Sequence, residues 1–394
     1  MQRGRAVPLA EQLAAPASFL SRKRRVSGSG KTGLLSVTHF GPFPPPYGGV
    51  SVFIRRLHNR LLRDGYESRV ATYRNGEESG DGRVFRRPGL PWPAGRLDGW
   101  YYRWAHVPGA VQHWHDSWHG NAHCICSQLR AGKRAVITVH SEIEAGMHQR
   151  CGPAARRYVK EIIRCRKVIW VAVSHRIREG LMKEGVEPDR IRVYPAYLPE
   201  PQPVGEPALP SGLLRFFESH GPIIAVYGWR FSSHKGGDLY GFDESLVLAA
   251  SLKTAYPKIG LVILCPGGRE DEHSRREGLE ALGRELGLEG HVFWALEPVD
   301  HMGALWTRCD AYVRPSLTDG DAVSVRECLS LGVPVVASDA VERPAQTMIY
   351  PVGDRARLRE TAEAAIKRGR SEPAVMPDVY GGMVSIYSAL QSGD

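Results

Sequence analysis

From Leu34 onward the chain alternates short apolar runs with stretches whose apolar positions recur every three to four residues. Short apolar runs suit buried strands and the longer recurrence suits helices with one packed face, so the alternation predicts parallel sheets joined by crossover helices. The first run, LLSVTHF (34–40), leads through a Pro/Gly loop to Val50, Phe53, Ile54, Leu57 and Leu61 at helical spacing. Further strands are expected at SRVATY (68–73), AVQHWH (110–115), AVITVH (135–140) and VIWVAVS (168–174). The second half repeats the alternation at PIIAVYGW (222–229), IGLVILC (259–265), HVFWAL (291–296), CDAYVRP (309–315) and VPVVAS (333–338), with helices around 243–256 and 274–286.

Two such series imply an α/β protein with two doubly wound, Rossmann-like domains facing a cleft. The stretch LPEPQPVGEPALPSG (198–212) is rich in proline, has no periodicity and reads as the linker. The expected division is a flexible basic tail over 1–31, domains over 32–200 and 201–375, and a final helix over 376–394 that packs back on the first domain.

Composition adds constraints without changing this outline. A chain of 394 residues, 42% of them hydrophobic, supports two cores rather than one. No apolar window is long enough for a membrane span, and the first thirty residues lack the apolar segment of a signal peptide, so a cytoplasmic location is expected. The seven cysteines lack the paired spacing of a zinc site or a disulfide framework and are expected as thiols. The net charge of +10 is concentrated: residues 1–31 hold seven Arg/Lys against one Glu, and 154–167 hold six against one. A nucleic-acid-binding surface is not expected from that distribution; attraction of the 154–167 helix to an anionic membrane surface is.

Two tempting motifs fail. GSGKTG (28–33) resembles the end of a phosphate-binding P-loop, but Arg25 stands where the first glycine belongs and a strand follows instead of a helix. HWHDSWHGNAH (113–123) suggests a metal site, yet His113 and His115 fall at a strand end facing the cleft, and no metal is assigned. The aromatic stretch WPAGRLDGWYYRW (92–104) offers stacking surface for a sugar or simple packing.

The chemistry concentrates at strand-to-helix turns, where backbone N–H groups and the helix dipole favour anions. YGGVSVF (47–53) brings Gly48 and Gly49 to such a turn, and YGWRFSSHKGG (227–237) places Arg230 and Lys235 five residues apart, a pair suited to a diphosphate. SLTDGDAVSVRECLSLGVPVVAS (316–338) places Asp319 and Glu327 across another turn, where carboxylates suit sugar hydroxyls.

Together the GGV loop, the strand ending TVH at His140, VAVSHRIREGLMKEGVEPDRIRVYP (171–195), GWRFSSHKG and DGDAVSVRECLSLGVPVVASD (319–339) resemble the GT-B glycosyltransferases of family GT4, from about Leu34 to the C-terminus. The resemblance implies a retaining, metal-independent transfer of a hexosyl unit from a nucleotide diphosphate sugar to a glycan or lipid-linked acceptor, as in polysaccharide biosynthesis. It implies no cofactor beyond that co-substrate. The first domain would face the acceptor and the second would bind the donor, closing over it. Arg230 and Lys235 would hold the diphosphate, Glu327 the ribose hydroxyls, and Asp319 the transferred sugar, helped by the backbone of Gly320, Asp321, Ala322 and Val323. His140 would approach the sugar from the first domain, and Gly48 and Gly49 would line the cleft. Asp319 stands where the family usually has Glu, and Asp321 and Arg326 stand where apolar residues are common. Two other readings share the scaffold: a nucleotide-sugar epimerase, and a non-catalytic sugar-nucleotide-binding protein. The expected location is cytoplasmic, with peripheral contact at the inner membrane face.

Overall fold

The structure is a computed structural model that describes residues 34–45, 47–72, 78–86, 109–115, 118–141, 152–199, 209–267, 273–299, 301–377 and 379–393. The basic tail over 1–31, the aromatic stretch over 92–104 and most of the proline-rich linker lie outside the described residues.

The first sheet contains β1 (Ser36–Phe40), β2 (Glu67–Thr72), β3 (Val84–Arg86), β4 (Val111–Trp114), β5 (Arg134–Val139), β6 (Val168–Ala172) and β7 (Ile191–Val193). All pair in parallel, in the order β3-β2-β1-β4-β5-β6-β7. The second sheet contains β8 (Ile223–Tyr227), then β11 (Gly260–Leu264), β12 (Val292–Ala295), β13 (Ala311–Arg314), β14 (Val335–Ser338) and β15 (Met348–Tyr350), also parallel, in the order β12-β11-β8-β13-β14-β15. Between β8 and β11 lies a two-stranded hairpin of β9 (Ser233–His234) and β10 (Gly237–Asp238). Both large sheets are doubly wound. Their strand order reverses beside β1 and β8, which is where such sheets open a crevice at the carboxyl ends of their strands.

All ten strands expected from the apolar runs are present. The strands not anticipated are the three-residue ones at sheet edges (β3, β7, β15) and the hairpin, all too short for a period-2 pattern to register. Near-continuous apolar runs such as Val335–Ala337 are buried throughout, as strands covered on both faces require. The helix Tyr380–Ser392 packs Met383, Ile386, Tyr387 and Leu390 into the core of the first sheet. Its Gln391 Oε1 accepts from the Ser36 backbone N–H at 3.0 Å, tying the end of the chain to the start of β1. The six described cysteines are thiols.

Candidate active site

The two sheets meet through the turns that follow their central strands. Gly48 caps the helix Gly49–Arg63, with its backbone N–H on Ser51 Oγ at 2.8 Å. A methyl group added to Gly48 would lie 3.9 Å from Trp229, and one on Gly49 would lie 3.6 Å from Val323, so this turn faces the loops after β8 and β13 at close range. Across the same gap the Tyr227 hydroxyl donates to the Tyr47 carbonyl at 2.8 Å. The cleft between the halves is lined by Tyr47, Gly48, Gly49, Arg56, Tyr227, Trp306, Val323 and Glu327, together with an apolar slot of Pro266, Pro298, Val299 and Met302. It offers about 50 Å³ to the centres of water molecules. Ligand pockets usually offer ~300–1,000 Å³.

Glu327 sits on the helix Val323–Ser330. Its Oε1 accepts from Arg56 Nη2 at 2.6 Å and its Oε2 from Trp306 Nε1 at 3.0 Å. Asp319 lies deeper. Its Oδ2 accepts from Arg314 Nε at 2.8 Å and from Arg343 Nη1 at 3.2 Å, while its Oδ1 accepts from the Gly320 N–H at 3.2 Å. Burial alone would push the Asp319 carboxyl up, but the two guanidinium groups outweigh it and hold the acid well below the usual carboxylate range. Asp319 does not cap the helix that follows, because Ala322 occupies the N-cap position.

The two departures at Asp321 and Arg326 answer each other: Arg326 Nε reaches both Asp321 oxygens, at 2.8 and 2.9 Å. Burial pushes the Asp321 carboxyl upward despite that partner.

The Arg230 guanidinium stands 4.7 Å from the centre of the Trp229 ring. Lys235 occupies the tip of the β9–β10 hairpin, with φ 49 there and φ 86 at Gly236. Two consecutive left-handed residues are what a tight two-residue hairpin turn demands, so a geometric constraint holds the exposed lysine at the tip. Neither Arg230 nor Lys235 lines the cleft that contains Glu327.

His140 follows β5. Its Nε2 is 3.4 Å from His115 Nδ1, and His115 Nε2 is 3.3 Å from His39 Nδ1. His113 Nδ1 meets the Tyr387 hydroxyl at 2.6 Å and His113 Nε2 meets Thr138 Oγ1 at 2.7 Å. Among the described residues, His39, His113 and His115 are the group whose nitrogens lie close enough to hold a metal ion. Both His113 nitrogens are committed to hydroxyls.

Gly320 decides how closely the halves approach. A methyl group there would lie 1.8 Å from the His140 carbonyl oxygen, so only glycine permits this contact between the acidic loop and β5. Gly320→Ala should therefore wedge the halves apart and reduce activity, whereas Gly381→Ala, whose methyl meets nothing within 4 Å, should do neither. Small-angle scattering of the two variants checks this. Identical profiles for Gly320→Ala and the unaltered protein would rule out the wedge.

Gly48, Gly49, Val323 and Glu327, candidates from the sequence, come together on the cleft. Arg56, Trp306, Arg314 and Arg343, which bind the two acids, were not among the candidates. Arg314 left a trace, a charge at the end of the buried run CDAYVRP, whereas the others left none.

The profile for Glycosyltransferase Family 4 matches residues 47–196, and that for Glycosyl transferases group 1 matches residues 218–349, one on each sheet. The chain belongs to the GT4-type GT-B glycosyltransferases. Solved structures with this fold include Anabaena Alr3699/HepE in complex with UDP-glucose, at 15% identity and TM-score 0.62, covering 90% of this chain and 93% of that one. Sucrose-phosphate synthase from Thermosynechococcus elongatus matches at 16% identity and TM-score 0.60, covering 91% of this chain and 100% of that one. A UDP-forming α,α-trehalose-phosphate synthase from Burkholderia xenovorans, in complex with glucose-6-phosphate, matches at 12% identity and TM-score 0.62, covering 90% and 96%. No curated protein matches the chain. The switch-point cleft of this GT-B glycosyltransferase thus lies between its two profile-matched halves.

Proposed function

We propose that the protein transfers a hexosyl unit from a nucleotide diphosphate sugar to a glycan or lipid-linked acceptor, with retention at the transferred carbon and without a metal. The observation that carries this reading is the position of Glu327, a carboxylate on the cleft wall where the Gly48–Gly49 turn meets the start of the helix Val323–Ser330. Vicinal ribose hydroxyls suit that carboxylate, and the apolar slot of Pro298, Val299 and Met302 suits a base. The solved relatives with UDP or UDP-glucose favour a uridine donor.

As the sugar leaves, positive character builds on its ring and negative charge on the departing nucleotide. Arg230 and Lys235 do not line the cleft as it stands; they act on that charge once the donor brings its diphosphate to their loop, where a cation lowers the barrier most. The departing phosphate then takes the acceptor's proton on the same face, so no carboxylate nucleophile is used. His140 and the peptide groups from Gly320 to Val323 face the sugar, and closure of the halves keeps water from it.

The acceptor side extends to location. On the helix Pro153–Arg164, Val159, Ile162 and Ile163 are buried in the first core, while Arg156, Arg157, Lys160 and Arg164 are exposed. We place this cationic face against the anionic headgroups of the inner membrane surface, an electrostatic contact that salt weakens. Among the described residues no helix is long and apolar enough to cross a membrane.

A panel of nucleotide sugars, scored for thermal shift and for nucleotide release with candidate acceptors, tests the function. Transfer releases nucleotide from one donor only in the presence of acceptor; an epimerase converts the donor and releases none; a binding protein shifts its melting point with no turnover. In the same assay Glu327→Gln should weaken donor and product nucleotide alike, by about 1.5–3 kcal/mol for hydrogen bonds to a charged group. Unchanged product affinity in that variant would remove Glu327 from the nucleotide site.

A further inference from the structure

Resting on that reading of the cleft, we infer that Arg56 is a positioning residue for the nucleotide's ribose, supplied by the opposite domain. It orients Glu327 so that the carboxylate meets both ribose hydroxyls only when the halves are together.

Arg56 lies on the helix Gly49–Arg63, and its side chain is only 4% exposed. One arm of its guanidinium donates to the Leu198 carbonyl at 2.9 Å, at the start of the segment joining the two sheets. The other donates to Glu327 Oε1 at 2.6 Å. The planar fork is therefore fixed at both ends, by backbone of its own half and by a carboxylate of the other. Trp306, fully buried, holds the second oxygen through its ring N–H.

A carboxylate offers about four lone-pair sites. Arg56 and Trp306 use one on each oxygen and so fix the plane of the group. The remaining site on each oxygen matches the two hydroxyls of a ribose, one hydroxyl to one oxygen. Glu327 lines the cleft, where such a ligand would enter. When the halves part, Arg56 leaves with the first sheet, and the carboxylate keeps only Trp306. The ribose site is then complete only in the closed protein, which couples recognition of the donor to closure.

The test measures discrimination between a nucleotide and its analogue without ribose hydroxyls. UDP and GDP are titrated calorimetrically, each beside its 2′,3′-dideoxy form. For the nucleotide that binds, the unaltered protein should prefer the ribose form at least ~10-fold, as hydrogen bonds to a charged group require. Arg56→Met should reduce that preference to about 3-fold or less while the dideoxy form binds nearly as before. Arg56→Lys, which keeps the charge but loses the fork, should fall between. Trp306→Phe, which removes the other donor and retains the ring packing, should also lower the preference and serves if Arg56→Met does not fold. A merely structural role for Arg56 would weaken both forms equally and leave their ratio unchanged, and that result overturns the inference alone. Failure of both diphosphates to bind the unaltered protein overturns the donor reading and this inference together.

Discussion

Acidification from about pH 7 to about pH 4.5 should destabilise the protein steeply, through three histidines buried behind the cleft. Burial, then the charge of His58, lowers His39 to about 3. Burial also sets His113 and His115 well below the ordinary histidine range, with the neighbouring histidines adding to the effect. Their hydrogen-bonding partners are hydroxyls and other imidazoles. An unfolded histidine takes up a proton near pH 6.5. Because the folded values lie lower, the stability from these neutral rings is fully present above about pH 6.5. It is withdrawn as pH falls toward the folded values, since the unfolded chain then binds protons the folded chain cannot. Each such proton is worth about 1.4 kcal/mol per pH unit, and three together about 4 kcal/mol. Against a typical stability of ~5–15 kcal/mol, two to three units suffice to unfold the chain. Denaturant titrations at several pH values measure the slope, and His39→Asn should reduce it by about one third. A midpoint that stays constant over this range would show that the cluster is hydrated in solution.

The second large effect is expected at Asp319. Replacing it with Asn should cost about 3–5 kcal/mol of folding stability, the range for removing one partner from a buried ion pair. Here one carboxylate answers two guanidinium groups, Arg314 and Arg343, both nearly inaccessible to water. Arg343 is further bound to Ser316 Oγ at 2.9 Å, and Arg314 to the Tyr227 carbonyl, so neither can swing out to find solvent. In the unaltered protein the folded carboxyl is depressed despite its burial. Its contribution is therefore present above the unfolded value, near pH 3.9, and is lost only as pH falls below that. At neutral pH the difference between Asp and Asn should appear in full. Chemical denaturation gives the stability, and product-nucleotide titration of the folded variant should give near-normal affinity, because Asp319 does not line the cleft that holds Glu327. An unchanged denaturation midpoint with lost transfer would assign Asp319 to sugar binding alone.

The alternation of apolar runs by itself determined the class of fold. Ten strands and several of the helices between them follow from local period, since a strand covered on both faces must be apolar along its length and a crossover helix on one face. The turns carrying Gly48, Gly49 and Glu327 were legible for the same reason: strand-to-helix junctions are local, and their position fixes the crevice. What the sequence could not state was pairing across distance. Arg56 and Glu327 are 271 positions apart and belong to different sheets, so nothing in either neighbourhood announces their contact. The same holds for Arg343, which reaches Asp319 from beyond β14. His39 lies on β1 and joins His113 and His115 only because β1 pairs with β4 in register, His39 opposite His113. Tertiary structure alone decided which charges are neutralised and which histidines are buried, because burial and charge pairing depend on neighbours that the chain brings together only when folded.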